Sequence, residues 1–321
     1  MKRYILTVGP SLLYKIPVSQ IHDPKYIYRI NGAHGTTEDI EGHIRELRRQ
    51  APDADILLDL PGNKVRTSGT NISIEKGKVF SIPSACFNFK DFHSLLTPGM
   101  TVWANDSIFE FEVLRADKKQ IELLSKSDGV LTDNKGMHIR GINERLPFLF
   151  EKDLQLIELA NNHKLAFVGL SFVRSRDDIE EAKKLIKSST IISKVETLAA
   201  VKNLNDILDT VDYILVDRGD LSTEIGIENV PHYQQYIIQK AHYFGRKVFL
   251  ATQVLKNMET TPVPTIAEIN DLYTISKQGV YGIQLSEETA VGRFIENCVA
   301  TLEKMNDTLV KESIAFLNVN E

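Results

Sequence analysis

The stretch "TIISKVETLAAVKNLNDILDTVDYILVD", residues 190–217, sets two apolar runs on either side of an amphipathic one. TIISKV (190–195) and YILVD (213–217) are short and mostly apolar rather than alternating, as strands buried on both faces of a parallel sheet are. Between them, TLAAVKNLNDILD (197–209) carries a helical pattern. The unit is strand, helix, parallel strand, and it recurs along the chain. Further runs are YILTV (4–8), YIYRI (26–30), DILLDL (55–60), LAFVGLSF (165–172), KVFLAT (247–252) and GIQLS (282–286). Helical patterns follow at 36–50, 151–163, 175–189 and 265–279. The first opens on Thr36 or Thr37 as N-cap with acids early and bases late, and the last ends on Gly279. Eight strands alternating with helices predict an α/β fold, a (β/α)8 TIM barrel.

One segment breaks the alternation. NISIEKGKVFSI (71–82), MTVWANDSIFEFEVL (100–114), KQIELLS (119–125) and GVLTDNKGMHI (129–139) alternate apolar and polar residues around turn signals at Gly77, Gly99, Gly129 and Gly136. The expected organisation is a barrel formed by residues 1–67 and 141–321, with a small β-domain, 68–140, inserted after the third strand as a lid.

The composition suits a globular enzyme. Of 321 residues, 42% are hydrophobic and 25% charged, which argues against a disordered chain. A net charge of -5 gives no reason to expect nucleic acid or an anionic membrane as partner. No run approaches the roughly 20 apolar residues of a membrane span. The apolar start is too short for a signal peptide. Two cysteines, Cys86 and Cys298, indicate no disulfide framework and make the reducing cytoplasm the expected location.

In such barrels the chemistry sits where strands end. Arg29, Asn31 and His34 follow the second strand, and Asp59, Lys64 and Arg66 the third. Lys194 and Glu196 end the fifth, and Asp217, Arg218 and Asp220 the sixth. Thr252 and Gln253 end the seventh, and Ser286, Glu287 and Glu288 the eighth. A lone charge at a strand end is more often a solvated rim residue than a catalyst. Six of eight strands ending in polar groups is more than solvation requires, and burying such groups unpaired would be costly. Glu196 and Asp220 are carboxylates suited to a hard cation such as Mg2+ (or Mn2+). With Arg29, Lys64, Arg66 and Lys194 around them, an anionic, phosphate-bearing substrate is the best match. There is no Walker-type loop and no zinc-like His or Cys spacing.

The motifs together resemble the pyruvate kinase family. They are ILTVGPS (5–11), YRINGAHGT (28–36), ILLDLPGNKVRT (56–67), IISKVE (191–196), ILVDRGDLSTEI (214–225), FLATQVLKNM (249–258), PVPTIAEIND (262–271) and IQLSEETAVG (283–292), in family order. The resemblance implies roles residue by residue. Lys194 would stabilise the phosphoryl group and the enolate, and Arg29 would face the phosphate in transfer. Thr252 and Ser286 would lie on the path that protonates enolpyruvate. Glu196 and Asp220 would bind the metal. Gly219 would offer its N–H to the substrate carboxylate, within a substrate site that includes Asp217, Arg218, Asp220 and Glu288. Asn31, His34, Arg66 and Lys135 would serve the phosphates of ADP or ATP. The partners implied are phosphoenolpyruvate or pyruvate and that nucleotide, with a homo-oligomer formed through the barrel.

The departures from the family pattern carry their own expectations. Ala33 stands for a serine that helps hold a monovalent cation, Leu60 for a threonine, and Lys64 for an acid. A tethered ammonium beside Asp59 would then supply the charge of the missing ion, so no monovalent cation is expected. Asp217 stands for alanine, Glu287 and Ser222 for glycines. An acid at 217 would repel phosphoenolpyruvate unless a cation compensates. It leaves open a metal-dependent enolate-handling enzyme on the same scaffold: a pyruvate-type lyase or aldolase, or a kinase with another phosphoryl acceptor. The expectation is a member of the family without its C-terminal regulatory domain.

Overall fold

The computed structural model describes residues 3–105 and 108–319. The first barrel strands are β1 (Arg3–Thr7), β2 (Tyr26–Asn31) and β3 (Asp55–Asp59). The chain then forms β4 (Ile72–Ile74), β5 (Val79–Pro83), β6 (Thr101–Ala104), β7 (Phe109–Ala116), β8 (Gln120–Ser125), β9 (Gly129–Leu131) and β10 (Met137–His138). It returns as β11 (Phe167–Leu170), β12 (Thr190–Val195), β13 (Tyr213–Asp217), β14 (Lys247–Ala251) and β15 (Gly282–Leu285). Among the described residues, the closed barrel runs β1-β15-β14-β13-β12-β11-β3-β2, all pairs parallel. The inserted strands form an antiparallel sheet, β10-β6-β7-β8-β5, and a β4-β9 pair.

The helices are α1 (Val18–Ile21), α2 (Thr37–Gln50), α3 (Glu151–Asn162), α4 (Arg176–Leu185), α5 (Leu198–Lys202), α6 (Leu204–Thr210), α7 (Arg218–Ile225), α8 (Val230–Tyr243), α9 (Ile266–Lys277), α10 (Glu287–Ala290) and α11 (Ile295–Val319). Thr36 caps α2 in a capping box with Asp39, and Thr265 caps α9 in one with Glu268. Gly279, just past α9, takes a left-handed φ of 78°. Two helical expectations need correction. The pattern at 175–189 stops at Leu185. The one at 197–209 breaks at Asn203, whose side chain donates to the Arg174 carbonyl (2.8 Å) and takes the chain out of helical register.

Packing follows the period of two along each strand. Ile5, Ile27, Leu57, Phe167, Ile192, Leu215 and Phe249 fill the barrel interior as one cluster. Their neighbours Leu6, Tyr28, Ile56, Val168, Ile214, Val216 and Leu250 face outward and join the larger core with the helices. This double burial is why the strands read as continuous apolar runs. The inserted segment has a separate core around Phe111, Val102, Ile121 and Leu123.

Candidate active site

The inward positions change character two residues beyond the apolar layer. Arg29, Asp59, Lys194 and Asp217 occupy them on β2, β3, β12 and β13, and all four are buried. The Lys194 ammonium is the hub. It lies 2.7 Å from Glu196 Oε1, 3.4 Å from Asp59 Oδ2 and 3.7 Å from Asp217 Oδ2, and donates to Ser171 Oγ at 3.1 Å. Arg29 Nε donates to Asp59 Oδ2 at 2.6 Å, and its Nη1 donates to Thr7 Oγ1 at 3.0 Å. Lys64 reaches in from the turn after β3 to pair with Asp220 Oδ1 at 2.6 Å.

Burial alone would push Lys194 down, but Asp59, then Glu196 and Asp217, outweigh it and hold the ammonium above the usual lysine range. Asp59 is likewise held low, against its burial, by Lys194 and Arg29. Glu196 is pushed up by complete burial and by the charges of Asp220 and Asp217, even with Lys194 beside it. Asp220 is held low by Lys64, which overcomes its burial. The four carboxylates Asp59, Glu196, Asp217 and Asp220 therefore face three cations, Arg29, Lys64 and Lys194.

One oxygen each from Glu196, Asp217 and Asp220 lies within 4.8 Å of the others. Glu196 Oε2 accepts the Phe172 N–H at 2.7 Å, which also holds Phe172 at a left-handed φ of 56°. Glu196 Oε1 is buried against the Lys194 ammonium at 2.7 Å. An all-oxygen set of three carboxylates, one of them pushed up by burial and the crowding of like charge, fits a hard divalent cation.

The sixth strand end has a local logic. Asp217 is the N-cap of α7, its Oδ1 accepting the Gly219 N–H at 3.2 Å and the Thr252 hydroxyl at 2.6 Å. The N–H that Gly219 was expected to offer to substrate is thus taken by a side chain of the same loop. Arg218 braces the neighbouring loop: it donates to the Thr252 carbonyl at 2.7 and 3.0 Å, to the Gln253 carbonyl at 3.1 Å, and to Asp271 at 2.7 Å. Thr252 and Gln253 are both left-handed, with φ of 76° and 54°, a strained pair of non-glycine residues. The guanidinium of Arg218 holds that strain in place.

Other expected residues sit less centrally. Glu288 is buried and both its oxygens accept backbone N–H groups, from Leu255 (3.3 Å) and Ser286 (2.7 Å); it ties two loops together. Ser286 is half-buried at the end of β15. Asn31 Oδ1 accepts the Ala33 N–H at 3.1 Å. His34 is pushed below its ordinary value, first by desolvation and then by Arg66, Arg29 and Lys152. Lys135 stands on the inserted segment, its N–H donated to Thr67 Oγ1 at 2.9 Å. Asp59 and Lys64 sit on different partners, Lys194 with Arg29 and Asp220 respectively.

A cleft of about 770 Å3 opens between the barrel mouth and the inserted segment. Arg66 lines it with Thr36, Gly62, Asn134, Phe150 and Lys152. Lys152, overlooked in the sequence, donates to the Gly35 carbonyl at 2.8 Å, and burial and then Arg66 push it below the usual lysine value. A signal was available: a lysine in the first turn of a helix opposes the helix dipole, so an anion nearby would explain it. Ser171 and Phe172, which brace Lys194 and Glu196, had no sequence signal beyond their place after a strand.

A (β/α)8 barrel whose mouth gathers carboxylates around a buried lysine, beside a cation-lined cleft, defines the class: a barrel enzyme for anionic substrates. Comparison with known proteins narrows it. The family model "pyruvate kinase, barrel domain" matches residues 2–299. The chain is 30% identical to a pyruvate kinase of Thermococcus litoralis over 98% of its own length and 71% of the relative. It is 30% identical to one of Thermotoga maritima (94% and 70%) and to one of Clostridium perfringens (99% and 71%). The chain belongs to the pyruvate kinase family and is a phosphotransferase of that family. No helix among the described residues is long and apolar enough to cross a membrane.

Proposed function

We propose that the chain transfers a phosphoryl group between phosphoenolpyruvate and ADP, dependent on Mg2+ or Mn2+ and independent of potassium. The observation that carries this reading is the buried Lys194, held charged at the barrel mouth by Asp59, Glu196 and Asp217. A fixed ammonium there stabilises charge on a phosphoryl group in flight and on an enolate oxygen. Arg29, fixed by Asp59 and Thr7, faces the phosphate. Arg66 and Lys152 line the cleft for the nucleotide phosphates, with His34, Asn31 and Lys135 at its approaches. Thr252 and Ser286 serve the protonation of the enol. Glu196 and Asp220 would hold the divalent cation, which supplies charge neutralisation at substrate oxygens. The inserted segment covers the mouth and excludes water.

Potassium independence is supported by Lys64, whose ammonium sits 2.6 Å from Asp220 and supplies a fixed positive charge there. The two cysteines are unbridged, in keeping with a cytoplasmic enzyme. The test is pyruvate release from phosphoenolpyruvate, ADP and Mg2+ in potassium-free buffer, then with KCl added. Release unchanged by KCl is expected. Absence of release sinks the reading, and strong activation by potassium sinks its monovalent-ion part.

A second reading is favoured by one observation, the Gly219 N–H bonded to Asp217 rather than free for a substrate carboxylate. It is a metal-dependent enolate-handling enzyme, and exchange of pyruvate methyl protons without any nucleotide is its sign.

A further inference from the structure

Asp217 is the acid for which the family pattern gives no use. Its position is fixed from both sides. Oδ1 accepts the Thr252 hydroxyl at 2.6 Å and the Gly219 N–H at 3.2 Å, so the carboxylate cannot turn away. Oδ2 is left facing Lys194 at 3.7 Å, beyond hydrogen-bond reach. Asp217 is 9% exposed, so its carboxylate sits in the largely buried wall of the barrel mouth.

The second observation lies across from it. Glu196 is fully buried, and its Oε1 faces the same ammonium at 2.7 Å. Glu196, Asp217 and Asp220 each bring an oxygen within 4.8 Å of the other two. Oxygens bound at about 2.1 Å to one octahedral cation stand roughly 3.0 Å apart when adjacent and roughly 4.2 Å when opposite. The three oxygens are near enough that closing in around one ion would bring them into a single shell. Lys64 and Lys194 offset part of the cluster's charge but leave a carboxylate in excess.

We propose that Asp217 is a third protein carboxylate toward the divalent cation, so that this chain binds the ion before any substrate arrives. The inference rests on the assignment of Glu196 and Asp220 as metal residues made above, and extends it to a residue that the family pattern replaces with alanine. Asp217 thereby has two tasks: Oδ1 caps α7 and orients Thr252, and Oδ2 faces the ion. It also resolves the repulsion expected between Asp217 and an anionic substrate, because the charge of the carboxylate is spent on the cation rather than presented to the substrate.

The test is a titration of the full chain with Mn2+, following the free-ion paramagnetic signal, with no phosphoenolpyruvate and no nucleotide present. Wild type should bind one ion. Asp217→Ala, the residue of the family pattern, should weaken binding by about tenfold or more. Asp217→Asn keeps an oxygen for Gly219 and Thr252 but not the charge, and should weaken it similarly. If wild type holds no Mn2+ without substrate, or if Asp217→Ala binds as tightly as wild type, the proposal fails. If Asp217→Asn matches wild type while Asp217→Ala does not, Asp217 is a helix cap alone and the proposal fails as well. A chain that binds Mn2+ through Asp217 but releases no pyruvate would sink the proposed function and leave this inference standing.

Discussion

Two levels of the same barrel interior differ by two residues along each strand. The lower level is Ile27, Leu57, Ile192 and Leu215; the upper is Arg29, Asp59, Lys194 and Asp217. Backbone geometry is common to both, because a strand returns to the same face every second residue. What differs is the partner each side chain finds. The lower residues pack against one another and need only shape. The upper ones form a charge network in which each member is tolerable because the next one compensates it. The lower level is apolar packing and the upper level is where the proposed chemistry would sit, and the boundary between them is one step of the strand period.

Substitutions at the two levels should separate these roles. The largest effect is expected from Lys194→Met. Turnover should fall roughly a thousandfold, the scale of losing a preorganised charge in a dry site. Thermal stability should fall too, by about 3–5 kcal/mol, since three carboxylates lose their shared cation. Turnover close to wild type would erase the distinction between the levels. Next is Leu215→Ala, one period below Asp217. It should cost about 2–5 kcal/mol through an internal cavity, seen as a lowered Tm, while KM for phosphoenolpyruvate in the surviving folded enzyme stays near wild type. A changed KM with unchanged Tm would show that the lower level shapes the site directly. The smallest effect is expected from Gln253→Gly. It relieves a left-handed φ of 54° and should raise stability by at most about 1 kcal/mol, read as a slightly higher Tm. A lower Tm would mean that the Arg218 brace, rather than local strain, dominates this loop.

Much of this was legible in the chain itself. The repeated apolar runs predicted the parallel barrel, and the alternating segment predicted β-structure inserted after the third strand, where β4 to β10 lie. The residues that follow each apolar run showed which strand ends carry polar groups. The misses share one cause. The break at Asn203 depends on the Arg174 carbonyl, contributed by another βα unit. Glu288 looked like a substrate residue, yet its two oxygens are spent on backbone groups of two loops. Lys152 had drawn no reading from the sequence, and only the fold sets it beside Arg66 at the cleft.

The sequence by itself determined the barrel strands, the barrel, several of its helices and the polar residues at the strand ends, because those depend on periods of two and about 3.6 and on caps a few residues away, whereas α7 and α8 drew no reading. Only the tertiary structure decided what each polar residue does. Lys64 meets Asp220 across 156 positions of chain, and Thr252 meets Asp217 across 35. A carboxylate becomes a cap, a counter-ion or a metal-facing group according to which charges and donors the fold brings within hydrogen-bonding distance, and those neighbours are distant in sequence.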